Sequence, residues 1–274
     1  MENHLSDSEI RALTDESRAI WNAKATFWDE RMGEGNAFQR ILIGPAVERL
    51  LALREGERVV DVACGNGVMT RRLASLGARV TGCDFSEVFI ERARARTPQD
   101  LADRINYLVV DATDEEQLLA LGVGDFDAIV CNQAFMDLAT IEPLLRAAHQ
   151  LLRPGGRFVF ALAHPCFNSG AFRMVMEQED RDGGIVVNRG LTIWNYLTPT
   201  AAKGTGMPGE PEPHYYFHRP LSAVLSTCFR AGFVLDGLEE PSFTEPMPST
   251  LALNWGQLPE MPPVLAGRLR VAAG

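Results

Sequence analysis

Between residues 58 and 163, short apolar runs rich in β-branched side chains alternate with amphipathic stretches of helical periodicity. The stretches predict helices that begin near Val68, Ser86, Glu115 and Thr140. The runs predict five strands, at 58–63, 78–83, 105–110, 126–131 and 157–163. Alternation at this spacing is typical of βαβ units, in which parallel strands form a sheet with helices on both faces. The sequence therefore predicts a doubly wound α/β fold.

Helical segments precede this alternation. Residues 6–32 predict one helix, which starts at a capping box formed by Ser6 and Glu9. Residues 37–53 predict a second helix, which Gly44-Pro45 is expected to kink or split. We therefore expect residues 1–55 to form an N-terminal helical cap.

A long insert follows the fifth strand. About 55 residues separate that strand from the next predicted helix, at 220–232, and connections of this length are usually functional or disordered. Within the insert, 185–188 and 191–196 predict a hairpin around Arg189-Gly190, and 198–213 is expected to be mobile. Strands at 233–238 and 264–272 would bring the sheet to seven, mostly parallel. Residues 56–274 are thus expected to form one domain that contains the insert, about 164–218.

Composition excludes several classes of protein. Of 274 residues, 46% are hydrophobic and 23% are charged, so the chain can form a core. The net charge of −10 disfavours nucleic-acid partners, which require a basic surface. No apolar run approaches the ~20 residues of a membrane span, and the N-terminus has no apolar core of a signal peptide. Five cysteines without a Cys-x-x-Cys pair indicate reduced thiols. We expect a cytoplasmic protein, monomeric or homodimeric, with no membrane or nucleic-acid partner.

The most specific local pattern is the glycine turn after the first strand, Asp61-Val62-Ala63-Cys64-Gly65-Asn66-Gly67. Gly65 and Gly67 would let the backbone approach a ligand closely. Asp84 stands at the end of the next strand, where an acid can accept both hydroxyls of a ribose. The pattern therefore predicts a nucleotide-type cofactor.

Two cofactors, a dinucleotide and S-adenosylmethionine, can be compared with this pattern. A dinucleotide fold requires G-x-G-x-x-G and binds a pyrophosphate at the helix N-terminus. Here the third glycine is missing, and Asp61 would repel a pyrophosphate but could hold an ammonium group. S-adenosylmethionine carries an ammonium, a sulfonium and a ribose but no phosphate. The charges favour S-adenosylmethionine.

Residues 57–163 resemble the class I S-adenosylmethionine-dependent methyltransferases, of the small-molecule type found in ubiquinone and menaquinone methylases. Five motifs carry the resemblance in order: 61–67, 84–86, 110–112, 132–134 and 152–156. The resemblance implies that Asp84 and Phe85 close on the ribose, that Asp111 contacts the adenine amine, and that Asn132 and Gln133 line the methionine moiety. Where the family has its first glycine this chain has Ala63, which puts the geometry of the turn in question. The cofactor-binding set implied is Trp28, Asp61, Ala63, Cys64, Gly65, Gly67, Asp84, Phe85, Asp111, Ala112, Asn132 and Gln133.

Two histidines are candidates for the catalytic group. Methyl transfer mainly requires that the acceptor be positioned and water excluded, and a hydroxyl or ammonium acceptor must also lose a proton. His164 directly follows the fifth strand, at the edge where ligands of such sheets bind. His214 opens an aromatic run in the insert. His164-x-Cys166 with His214-x3-His218 would make a zinc-type set, but the second pair is not on a predicted helix, and we predict no metal.

Three functions remain open. We favour a methyltransferase for a small-molecule acceptor, with the N-terminal helix and the insert forming a lid over the site. Trp21 and Trp28 of that helix would cover the cofactor. The alternatives are an NAD-type oxidoreductase and a non-catalytic S-adenosylmethionine-binding protein.

Overall fold

The structure, a computed structural model, describes residues 6–168, 171–245 and 253–272. The ends of the two predicted domains (1–5 and 273–274), two insert residues (169–170) and a segment of the proline-rich passage (246–252) lie outside the described residues. The α-helices are α1 (Asp7–Met32), α2 (Gly44–Leu51), α3 (Val68–Ser75), α4 (Glu87–Arg96), α5 (Glu115–Leu119), α6 (Glu142–Leu151) and α7 (Leu221–Arg230).

The strands fall into a central sheet and two ribbons within the insert. In chain order they are β1 (Arg58–Val62), β2 (Arg79–Asp84), β3 (Ile105–Val109), β4 (Phe126–Asn132), β5 (Leu152–Ala163), β6 (Ala171–Arg181), β7 (Gly184–Trp194), β8 (Thr200–Gly204), β9 (His214–His218), β10 (Phe233–Glu239) and β11 (Val264–Val271). The first five and the last two form the sheet, and β6–β7 and β8–β9 form the ribbons.

The central sheet has the strand order β10-β11-β5-β4-β1-β2-β3. Strands β1 to β5 are parallel, and β11 lies antiparallel between β5 and β10. The order reverses at β1, so the carboxyl ends of β1, β2 and β4 meet at one edge, the usual ligand site of an open α/β sheet. The predicted seven-stranded, mostly parallel sheet is confirmed.

Both faces of the sheet are buried, as its continuous apolar strands require. Val60 and Val62 pack with α5, α6 and α7 on one face. Val59 and Val80 pack with α2 and α3 on the other. This two-sided core fixes the strand ends rigidly beside one another.

The N-terminal helix begins as its sequence predicts. The Ser6 side chain accepts a hydrogen bond from the Glu9 N–H, and the Glu9 carboxylate accepts one from the Ser6 N–H. The second helix changes type at Gly44-Pro45, where a π-helical turn (Phe38–Ile43) gives way to α2. Thr140, however, does not cap α6; Ile141 occupies that position without a side-chain bond.

The hairpin predicted around Arg189-Gly190 is wrong. Those residues lie inside β7, which pairs with β6 through a turn at Asp182-Gly183. Both turn residues have positive φ, +54° and +77°, the conformation that Asp-Gly favours in two-residue hairpins. The segment expected to be mobile contains β8, which pairs with β9.

No helix among the described ranges is both long and apolar enough to cross a membrane.

Candidate functional site

A cavity lies at the carboxyl ends of β1, β2 and β4, with α1 along one side. Its empty volume is about 1040 Å³ with the open space at its mouth included, the scale of small-molecule sites. Ten of the twelve predicted cofactor residues line it: Trp28, Asp61, Ala63, Cys64, Gly65, Asp84, Phe85, Ala112, Asn132 and Gln133. Gly67 and Asp111 are not among the lining residues. The sheet thus brings together most of a set that the sequence distributes over about 100 positions.

The turn after β1 keeps its shape although alanine replaces the first glycine. Ala63 adopts a left-handed φ of +54°, and Gly65 does the same. A Cβ at Gly65 would meet no atom within 4 Å, so the backbone there faces open space. At Gly67 a Cβ would lie 2.4 Å from the Tyr107 hydroxyl. Gly65 therefore leaves room for a ligand, whereas Gly67 is required by packing.

Two buried carboxyls end β1 and β2 in this cavity. Thr70 Oγ1 donates to Asp61 Oδ2 at 2.6 Å, and Asp84 accepts the N–H groups of Gly65 and Ser86, each at 2.9 Å. Burial raises the pKa of Asp61 to about 7 and that of Asp84 to about 6. Neither carboxyl forms an ion pair among the described residues. A cationic ligand would stabilise both charged forms.

Polar atoms without partners face the same space from the end of β4. The side-chain oxygen and nitrogen of Asn132 and the Nε2 of Gln133 are buried and make no hydrogen bond to the described residues. Gln133 also has a φ of +54°. Because buried polar groups are normally bonded, these atoms indicate a polar ligand.

Asp111, which the resemblance assigns to the adenine amine, forms hydrogen bonds with protein groups in this structure. Its Oδ2 accepts from Arg18 of α1 at 2.5 Å, and its Oδ1 accepts from the backbone and hydroxyl of Thr113. The side chain lines a second, wider cleft together with Arg18, while the neighbouring Ala112 lines the first cavity. In this structure the hydrogen bond between Arg18 and Asp111 joins α1 to the segment that follows β3.

The sequence pattern of a family described as a methyltransferase domain matches residues 60–160. Among curated proteins, the chain is 30% identical over 120 residues to a ubiquinone biosynthesis O-methyltransferase of Aromatoleum aromaticum, covering 44% of this chain and 50% of that protein. It is 35% identical over 114 residues to a demethylmenaquinone methyltransferase of Clavibacter sepedonicus, covering 42% and 44%. The chain thus spans about half the length of these relatives.

A solved structure extends the similarity beyond this region. An S-adenosylmethionine-dependent methyltransferase from Mesorhizobium loti superposes with a TM-score of 0.63 at 28% identity, covering 82% of this chain and 96% of that one. Residues 60–160 match a methyltransferase domain, and the chain is similar to S-adenosylmethionine-dependent methyltransferases. It resembles the quinone methylases, and none of these matches supports the oxidoreductase alternative.

The methyltransferase domain suits its cofactor in charge and in shape. Asp61 and Asp84 present carboxyls to a group that carries an ammonium and a sulfonium but no phosphate. The open space beside Gly65 admits a ligand against the backbone, and Asn132 and Gln133 offer unused donors and acceptors. The residues present therefore fit S-adenosylmethionine.

The two predicted catalytic histidines lie in different places. His164 is buried beside the domain's β5, where its Nε2 contacts Glu240 Oε1 at 2.8 Å and its Nδ1 accepts from the Cys166 N–H at 3.1 Å. It is not among the cavity-lining residues. His214 packs against Trp21, with ring centroids 4.7 Å apart, and Trp21 lines the cavity. The two histidines do not share a site, and within the described ranges no three metal-ligating side chains converge.

A cluster beside His214 was missed by the sequence reasoning. Lys24 of α1 is fully buried and contacts both Glu210 and His214. Burial would raise the pKa of Glu210, but bonds from Lys24 and Trp28 outweigh it and lower that pKa to about 2. Burial and the Lys24 charge lower the pKa of His214 to about 4. Trp21, Lys24 and Trp28 are spaced three and four residues apart, so they share one face of α1. A lysine between two tryptophans on an apolar face is visible in the sequence and could have indicated this cluster.

Asp137 was missed as well. It follows β4 by five residues, lines the methyltransferase cavity, and lies 3.8 Å from His214 Nε2. Asn66, Val110 and Ala134, which belong to the predicted motifs, also line the cavity. The lining residues that no motif indicated are Met32, Gln39, Val68, Met69, Phe89 and Leu138.

Proposed function

We propose that the protein transfers a methyl group from S-adenosylmethionine to a small-molecule acceptor. The observation that carries this is one cavity in which the Gly65 turn and Asp84 meet the aromatic side chains of α1 and a further carboxyl, Asp137. We assign the part of the cavity beside Gly65 and Asp84 to the cofactor and the part beside Trp21 and Asp137 to the acceptor. The names of the relatives, a ubiquinone biosynthesis O-methyltransferase and a demethylmenaquinone methyltransferase, support an acceptor of small size.

The methyl group of the cofactor is already activated, so the protein does not have to form a covalent intermediate. When bound, S-adenosylmethionine supplies a methyl group on a sulfonium sulfur, which keeps the electron pair of the broken bond. We assign Asp84 to the ribose hydroxyls and Asp61 to the positive charge of the methionine end. Asn132 and Gln133 bond that end, while Cys64, Phe85 and Ala112 pack around the nucleoside. These residues bind and orient, and orientation alone can contribute several kcal/mol, up to ~7–11.

The N-terminal cap (residues 1–55) and the insert (164–218) form the proposed lid. The contacts that hold α1 over the domain include Arg18 to Asp111, Asn22 to Ser86, Asp29 to Asn66, and Trp28 to Glu210 of the insert. The last contact joins the cap and the insert to each other. Closing both over the cavity would exclude water from the transfer step.

Fluorescence titration tests the cofactor assignment, because Trp21 and Trp28 line the cavity. S-adenosylhomocysteine should change the tryptophan emission with saturation, and NADH should not. Trp28→Phe should reduce the change, whereas Trp194→Phe, in the distal ribbon, should not. Saturable binding of NADH alone would overturn the proposal in favour of an oxidoreductase.

Transfer itself needs a separate assay. Purified protein with methyl-labelled S-adenosylmethionine and a panel of phenols, arylamines and thiols should label at least one acceptor. Deleting residues 1–32 should abolish that labelling while circular dichroism still shows a folded sheet. Binding of S-adenosylhomocysteine without labelling of any acceptor would reduce the protein to a cofactor-binding role.

A further inference from the structure

Among the described residues that line the cavity, Asp137 is the one acid that the cofactor assignment leaves unused. Its side chain is 18% exposed, and its Oδ1 is buried without a hydrogen bond to any described residue. Asp61 accepts a hydrogen bond from Thr70 of α3, and Asp84 accepts from the turns after β1 and β2, but Asp137 Oδ1 accepts none from the described residues. A buried carboxyl left in this state indicates a ligand or a proton as its partner.

His214 faces Asp137 in a defined tautomer. The Lys24 ammonium contacts His214 Nδ1, and an ammonium can only donate. Glu210 Oε1, which can only accept, also lies 3.0 Å from Nδ1, but Lys24 Nζ is closer, so we assign Nδ1 as the acceptor and Nε2 as the protonated nitrogen. That Nε2 lies 3.8 Å from Asp137 Oδ1. With a pKa lowered to about 4, the ring is neutral at pH 7 and has no nitrogen free to accept a proton.

Lys24 is itself held firmly. It forms a fully buried ion pair with Glu210, and its Nζ lies 4.0 Å above the Trp21 ring. Breaking such a buried pair is costly because one charge stays uncompensated. The orientation of the His214 ring therefore follows from the cluster rather than from solvent.

We propose that Asp137 accepts the proton of the methyl acceptor, an apolar ring compound with an O–H or N–H group, and that Lys24 and His214 position the carboxyl. The inference rests on the proposed function and assigns its proton acceptor and acceptor class. As the acceptor's oxygen or nitrogen bonds to the methyl carbon, its hydrogen passes to Asp137 Oδ2, and His214 Nε2–H faces Oδ1. The apolar wall of Trp21, Phe89 and Leu138 selects the ring.

The surroundings of Asp137 suit this role. Burial raises the pKa of its carboxyl, and the charges of Glu210 and Asp84 raise it further, while Lys24 lowers it. Neutral His214 lies beside Asp137. Burial raises the pKa of the nearby Tyr216 hydroxyl, and the charge of Asp137 raises it further. The raised pKa keeps Asp137 protonated in the empty cavity, and a bound cation would ionise it. The carboxylate so formed is a stronger base than an ordinary one.

Calorimetry with two cofactor analogues tests the placement without any acceptor. Sinefungin carries a protonatable amine where the sulfonium carries its methyl group, and S-adenosylhomocysteine carries nothing there. Binding measured between pH 6 and 9, in buffers of different ionisation enthalpy, gives the protons released. The binding of sinefungin should release up to one proton more than the binding of S-adenosylhomocysteine, because the ammonium of sinefungin would ionise the Asp137 carboxyl.

Asp137→Asn should abolish this difference in proton release and weaken the binding of sinefungin by at least about tenfold. Its affinity for S-adenosylhomocysteine should stay within about threefold of the wild-type value. Asp103→Asn, at an exposed position outside the cavity, should retain the wild-type difference. Equal proton release in the wild type, or a difference that persists in Asp137→Asn, would overturn the inference. Failure of S-adenosylhomocysteine to bind at all would instead overturn the proposed function.

Nitrogen-15 NMR of the histidine rings tests the positioning residues. His214 should show a protonated Nε2 and an unprotonated Nδ1 at pH 7, and Lys24→Met/Glu210→Gln should lose this preference. The opposite tautomer in the wild type would overturn the positioning role.

Turnover tests the proton acceptor itself. With an acceptor from the panel, Asp137→Asn should lower kcat by about 10²–10⁴-fold, the usual range for a proton acceptor. An undiminished kcat would also contradict the proposal.

Discussion

The backbone N–H of Gly65 donates a hydrogen bond of 2.9 Å to Asp84 Oδ2. This bond joins the turn after β1 to the end of β2, across the point where a ribose would lie. Oδ1 of the same carboxylate accepts the Ser86 N–H at the start of α4. Each oxygen retains a lone pair, so Asp84 can shape the turn and still accept from a ligand.

Replacement of Asp84 tests both of these roles. Asp84→Ala should weaken S-adenosylhomocysteine binding by about 2–4 kcal/mol, the range for removing one partner of a buried charge-assisted contact. Asp84→Asn, which keeps an acceptor oxygen, should lose less. Calorimetry gives the affinities, and Asp103→Ala serves as the exposed control. A loss below about tenfold for Asp84→Ala would mean that Asp84 is not on the ribose.

The pH dependence of folding stability should reveal Asp61. In the folded protein this carboxyl keeps its proton up to a pKa of about 7, whereas the unfolded chain releases it near pH 4. Between those values the folded state binds more protons, so the contribution of Asp61 to the free energy of unfolding is full below about pH 4 and is lost as the pH rises to about 7.

Asp61→Asn removes that titration. Relative to the ligand-free wild type, its free energy of unfolding should rise by about 1–4 kcal/mol between pH 5 and pH 8, since each pKa unit corresponds to about 1.4 kcal/mol. Urea unfolding at several pH values measures the difference. His214 titrates in both proteins and cancels in the comparison, whereas Asp84, whose charge raises the pKa of Asp61, is coupled to it and contributes part of the difference. Parallel curves for the two proteins would contradict the raised pKa.

Ala63→Gly should stabilise the protein. A left-handed φ costs a residue with a Cβ about 1–2 kcal/mol, while glycine loses about 0.5–1 kcal/mol more in backbone entropy. We expect a net gain of about 0.5–1 kcal/mol in urea unfolding, with S-adenosylhomocysteine affinity unchanged. Ala95→Gly, at an exposed position in α4, should instead cost about 1 kcal/mol. Destabilisation by Ala63→Gly would show that the Ala63 methyl group contributes packing that outweighs its strain.

His164→Ala should act on stability rather than on turnover. The ring is buried between Glu240 and the Cys166 N–H, so its loss should lower the free energy of unfolding by about 1–3 kcal/mol. Because it does not line the cavity, kcat should stay within about threefold. Chemical unfolding and the labelling assay measure the two effects. A 10²–10⁴-fold fall in kcat would instead identify His164 as the proton acceptor.

Much of the sheet could be predicted because its signals are local. The apolar runs of β1 to β5 and the capping box at Ser6 follow from adjacent residues. The β6–β7 hairpin was misplaced although Asp182-Gly183 is itself a local signal; Arg189-Gly190 was read as the turn instead. β8 carries little strand propensity of its own, and it forms because β9 supplies a partner from 14 residues away.

The site divides in the same way. Local sequence patterns were enough to predict the fold class, the glycine turn and the carboxyls at the ends of β1 and β2, because residues at strand ends must meet at one edge of a parallel sheet. The left-handed conformation of Ala63 and the contact of Arg18 with Asp111 appear only in the folded chain. The tertiary structure alone decided that Lys24 and Glu210, 186 positions apart, are buried together beside His214 and Asp137. Such pairings depend on how α1 and the insert pack across the cavity, and the energy of a buried charge is set by partners that lie far away in the chain.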